Sequence, residues 1–126
     1  MKIVFNKLII FSGDVTKLRT FYTQHFGFEL KEEIENEWVV LNAGITEIAF
    51  HRIGEAYRNN NVPFKADSNT KLVFEINSDL ASFRQNLLDS GATVNEIKSF
   101  DGFDYLICDG EDPEGNIFQL KQKKLP

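Results

Sequence analysis

Apolar residues in this chain recur at two different spacings, and the two alternate along its length. Residues 3–11, IVFNKLIIF, form an Ile- and Val-rich run that predicts a strand. In SGDVTKLRTFYTQHFG the spacing becomes helical. Val15, Leu18, Phe21, Tyr22 and Phe26 recur at three and four residues, Ser12 or Asp14 can cap the start, and Gly27 ends the helix. FELKEEIE, EWVVLNA and TEIAFHRI then predict three more strands, with turns at Asn36 and at Asn42-Ala43-Gly44.

The same order then begins again. KLVFEI predicts a strand, and Ser78 or Asp79 caps a helix in LASFRQNLLDSG, with Leu80, Phe83 and Leu87 as its stripe and Gly91 at its end. TVNEIKSF, DYLIC and NIFQLKQ predict three further strands. DVTKLR (14–19) and DLASFR (79–84) match in their Asp, aliphatic, bulky apolar and Arg positions, which points to a duplicated β-α-β-β-β unit. The prediction is one α+β domain over 1–126, with a first unit at 1–53, a connector at 54–69 and a second unit at 70–126. The connector, rich in Asn and holding a Pro, is either a plain linker or a lid.

Strand parity sorts the side chains into two faces. Leu8, Ile10, Ile48, Phe50, Leu72, Phe74 and Ile76 form apolar rows, each expected to take a helix. The opposite, mixed rows hold Lys7, Glu47, His51, Lys71, Glu75, Gln119 and Lys121 among Ile9, Phe11, Val73 and Ile117. Such rows are either a solvated sheet surface or a concave pocket with a few polar groups.

Composition narrows the partners. A formal charge of −5 and a short basic end of Lys123 and Lys124 argue against nucleic acid. No apolar run reaches the roughly 20 residues needed to cross a bilayer, and the lysine within MKIVFNKLIIF reads as strand rather than signal peptide. The lone Cys108 forms no internal disulfide, in keeping with a cytoplasmic protein.

FYTQHFGF at the end of the first helix and DPEGNIFQL near the end of the chain, at this spacing within a duplicated β-α-β-β-β plan, resemble the vicinal oxygen chelate superfamily. That group includes glyoxalase I, extradiol dioxygenases and the fosfomycin- and bleomycin-resistance proteins. The resemblance covers essentially the whole chain. It implies a curved mixed sheet with a concave cup and, in a chain of two units, a homodimer with clefts at the subunit boundary. Metal-using relatives take His or Glu ligands from the first and last strands of each unit. Those places fall here on Lys7, Ala49, Lys71 and Gln119. Ammonium groups have no lone pair and repel a dication, so no metal and no other cofactor is expected.

The function implied is metal-independent binding of a small molecule, of the sequestration or resistance type. Its contact residues are expected to be Lys7, Phe11, Glu47, His51, Lys71, Glu75, Tyr105 and Gln119, with Phe103 as a further ring. Two alternatives stand beside it. One is a metal-free enzyme using Lys7 or Lys71 as base or Schiff-base nucleophile. The other is a lyase, isomerase or dioxygenase-type enzyme whose metal is held by Glu47, His51, Glu75 or Asp109.

Overall fold

The computed structural model describes residues 1–125. Its chain divides into two compact units, the first spanning Met1–Ala66 and the second beginning at Asp67. In the first, β1 (Lys7–Ser12) leads to α1 (Val15–Phe26), then β2 (Glu29–Ile34), β3 (Trp38–Asn42) and β4 (Glu47–Arg52). In the second, β5 (Lys71–Glu75) leads to α2 (Leu80–Asp89), then β6 (Thr93–Val94), β7 (Tyr105–Glu111) and β8 (Ile117–Lys123). Each unit builds a four-stranded mixed sheet, ordered β1-β4-β3-β2 in one and β5-β8-β7-β6 in the other. The duplicated β-α-β-β-β plan is therefore the observed one. No helix among the described residues is long and apolar enough to cross a membrane.

Local chemistry explains where the helices begin and end. Asp14 caps α1 by accepting from the Lys17 amide, and Gly27 closes it in the left-handed region at φ 68°, returning its N–H to the Tyr22 carbonyl. Val15, Leu18, Phe21 and Tyr22 are buried on one side of α1, which lies against β3 and β4. Tyr22 stacks on Phe50 at 5.5 Å. Asp79 caps α2 through the Ala81 amide, and Leu80 and Leu87 are its buried face. Of the paired cap candidates, the aspartates serve rather than Ser12 and Ser78.

Three strand predictions need correction, one of them DYLIC, whose strand runs on to Glu111 as β7. The first strand begins at Lys7, not at residue 3, because its partner β4 begins at Glu47 and Lys7 is paired with Glu47. Ile3, Val4 and Phe5 run past the end of that partner and are exposed. TVNEIKSF is not one strand: only Thr93–Val94 pair with β7, followed by a lone bridge between Lys98 and Ile107. The Asn95 carbonyl is turned to the Arg84 guanidinium at 2.7 Å and to the Cys108 thiol at 3.2 Å, so it is withdrawn from the ladder. The connector holds a single 3-10 turn, Glu55–Tyr57.

Candidate functional site

In the first unit α1 covers the face bearing Ile48 and Phe50, which are buried. The other face is set by register. Lys7 pairs with Glu47, Ile9 with Ala49 and Phe11 with His51 across the parallel β1–β4 ladder. Asn42, Val40 and Trp38 continue the same three rows on β3. Lys7 Nζ lies 3.5 Å from Glu47 Oε1, with both side chains about a quarter exposed, and 5.9 Å from the centre of the Trp38 ring. The Trp38 Nε1 donates to Glu32 at 3.1 Å. The His51 ring stands 5.7 Å from Trp38, edge-on, and 5.8 Å from Phe11.

In the second unit the parallel β5–β8 ladder pairs Lys71 with Ile117, Val73 with Gln119 and Glu75 with Lys121. Asp109 stands opposite Gln119 on β7. Lys71 Nζ donates to Asp109 Oδ2 at 2.7 Å, and Gln119 Nε2 donates to Asp109 Oδ1 at 3.0 Å. Both carboxylate oxygens are thus engaged. Burial opposes ionisation of Asp109, but the hydrogen bonds from Lys71 and Gln119 and the charges of Lys71 and Lys98 outweigh it and hold its pKa below the usual aspartate value. Lys121 lies 3.8 Å from Glu75 and 4.2 Å from the centre of the Tyr105 ring, which itself contacts Phe103.

The eight predicted contact residues therefore fall into two groups of four. Lys7, Phe11, Glu47 and His51 share one sheet face in the first unit. Lys71, Glu75, Tyr105 and Gln119 share one in the second. Trp38 was missed, although its parity with Val40 and Asn42 in EWVVLN placed it on the mixed face. Asp109 entered only as a fallback metal ligand, and its central position shows once β7 is set against β8. The recess lined by Gly13, Asp14, Val15, Asn36 and Arg52, beside the start of α1, contains none of the predicted residues.

Cys108 is buried in the core of the second unit. Burial raises its thiol pKa, with Asp109 adding to that and Arg84 opposing it. Its Sγ points to a backbone carbonyl, which suits a packing role.

The DPEGN turn is built around Asp112. Its Oδ1 accepts the amides of Glu114 and Asn116, and its Oδ2 accepts the Asn116 side-chain amide at 2.8 Å. This delivers the chain into β8 and so aims Gln119 at Asp109.

Among solved structures the fold is shared with lactoylglutathione lyase from Agrobacterium tumefaciens, at TM-score 0.73 and 16% identity over 94% of this chain and 92% of that one. An integron cassette protein from the mobile metagenome of V. Cholerae gives 0.71 and 20% identity over 98% of each chain. The fosfomycin resistance protein FosX from Mesorhizobium loti gives 0.69 and 10% identity over 99% and 95%. At these identities the likeness is one of fold. No curated protein sequence gives a significant match. The family model described as Glyoxalase/Bleomycin resistance protein/Dioxygenase superfamily matches residues 4–120, nearly the full length, and the chain belongs to that superfamily.

Proposed function

We propose that this protein is a metal-independent small-molecule-binding member of its superfamily, with its ligand held on the sheet faces opposite the helices. The observation that carries this reading is the state of the four places where metal-using relatives are expected to hold their ion. Lys7 sits against Glu47 and Lys71 against Asp109, Ala49 presents a methyl group, and Gln119 donates its amide N–H to Asp109. A dication would have to displace two ammonium groups from their carboxylates and turn an amide around. The donors present do not fit it. No cluster of three or more His, Cys, Asp or Glu side chains suited to a metal occurs among the described residues.

The lysine-catalysed alternative is less well supported by the same geometry. A catalytic amine is activated by a second cation or an apolar wall, whereas Lys7 and Lys71 each have a carboxylate beside them. Both sheets end in edge strands, β1 and β2 in one and β5 and β6 in the other, which favours a homodimer. Size-exclusion chromatography checks that assembly.

The test of binding is a thermal-shift panel of metabolites and antibiotics, run with and without EDTA. The expected result is a stabilising compound whose effect is unchanged by EDTA. Stoichiometric zinc, nickel or manganese retained through dialysis, or stabilisation that EDTA abolishes, overturns the proposal.

A further inference from the structure

The geometry points to the face of the first sheet opposite α1 as a site for a planar aromatic compound that carries a donor head, amide or ammonium, and no negative charge. This rests on the binding reading above and names a ligand class for it. Register places Ile34, Trp38, His51 and Phe11 in one row across all four strands: Ile34 pairs with Trp38, Trp38 with His51, and His51 with Phe11. At about 4.8 Å between strands that row is roughly 14 Å long, enough for a two-ring system. Its centre is fixed. The Trp38 ring is held by Glu32 at its Nε1, by Lys7 near its face and by the His51 edge. Its ends are open, with Phe11 60% and Ile34 61% exposed. An exposed phenyl ring, separated from the anchored indole by the His51 ring, lengthens the aromatic row and offers stacking at small cost in side-chain ordering.

The second row is Ile9, Ala49 and Val40, ending in Glu32 on β2; Ile9 is half exposed, while Ala49 and Val40 are buried and form its floor. The third row holds Lys7, Glu47 and Asn42. Among the described residues the Glu47 side chain has one polar partner, Lys7 at 3.5 Å, which leaves carboxylate lone pairs for a donor. Leaving the histidine aside, Glu32 and Glu47 set two carboxylates against the single ammonium of Lys7. A ligand carboxylate would meet repulsion here, and an N–H donor would meet acceptors.

Trp38 is the chain's one tryptophan, so a single indole N–H resonance reports on the row. The experiment titrates the full chain with naphthalene-2-carboxamide, 2-naphthylmethylammonium and naphthalene-2-carboxylate, following that resonance by NMR. The carboxamide and the ammonium compound are expected to shift it saturably, and the carboxylate to bind about tenfold more weakly. Phe11→Ala should weaken the first two about tenfold, and Phe11→Leu by less, since it keeps apolar area and loses the ring. An unmoved free-state indole resonance confirms that each variant is folded.

The inference fails if no probe gives a saturable shift, if the carboxylate binds as tightly as the carboxamide, or if Phe11→Ala changes nothing. It also fails if the resonance moves with protein concentration alone, which would assign this face to a second copy of the chain. Stabilisation of the chain by a compound of the thermal-shift panel that leaves the indole resonance unmoved would sink the aromatic site and leave the binding reading intact.

Discussion

Gly110 occupies the tightest position in the second sheet. It stands directly opposite Phe118 in the β7–β8 ladder. A Cβ at Gly110 would lie 2.5 Å from Phe118 Cζ, 2.7 Å from Cε1 and 3.0 Å from the Thr93 carbonyl oxygen. Ordinary contact begins about 1 Å further out, and the Phe118 ring is fully buried, so it has no open space to enter. Gly110→Ala is therefore an overpacking substitution with an expected cost of ~1–3 kcal/mol. For a chain of this length that is a melting temperature lower by about 4–12 °C.

Urea denaturation measures the effect, with an unchanged m-value showing that the native state still unfolds as one. Phe118→Leu removes the two clashing ring atoms and alone costs ~1–2 kcal/mol as a cavity. If the clash is the cause, the double variant should be milder than the sum of the singles by at least ~1 kcal/mol. Strict additivity, or a Gly110→Ala protein within ~0.5 kcal/mol of the parent, refutes the reasoning. Gly110 follows Asp109, so pushing β7 off β8 would also stretch the 3.0 Å bond from Gln119.

Three further outcomes are expected. The depressed pKa of Asp109 means that its stabilising effect is complete above the ordinary aspartate value and is lost as pH falls through the lower folded value. Asp109→Asn should thus reduce stability near neutrality by ~1 kcal/mol or less, given the exposure of Lys71, and flatten the acid limb of stability below about pH 5 in low-salt thermal melts. Asp14→Ala should cost ~1 kcal/mol in urea denaturation by leaving the Lys17 amide without its cap, while Asp14→Ser retains most of the stability. The Cys108 thiol, buried and with its pKa raised, should react with a disulfide reagent at neutral pH only at the rate of opening of the second unit, and rapidly in denaturant.

How far the site was legible varies with the residue. That Lys7, Phe11, Glu47 and His51 share one sheet face was recoverable from parity, because β1 and β4 pair without a register shift. Asp109 was harder, since in DYLICDGE it sits beyond the expected end of the strand and beside a Gly that reads as turn. Its role follows from Lys71, 38 residues away, and Gln119, 10 residues away. The shortened β6 was hidden for a similar reason: TVNEIKSF has strand composition, and only the side chains of Arg84 and Cys108 reveal that its Asn95 carbonyl is taken.

What the amino-acid order determined by itself was local: two helices with their pairs of cap candidates and their glycine stops, the alternation of each strand, the repeat, and which faces are apolar. These follow from periods of 3.6 and 2 and from chemistry within a few residues. What only the tertiary structure decided was pairing: that Trp38 lies beside His51, that Asp109 joins Lys71 to Gln119, and that the first strand starts at Lys7. Alternation fixes which face a residue takes, since a slip of one residue would exchange the two faces, but not which residue of which distant strand stands beside it.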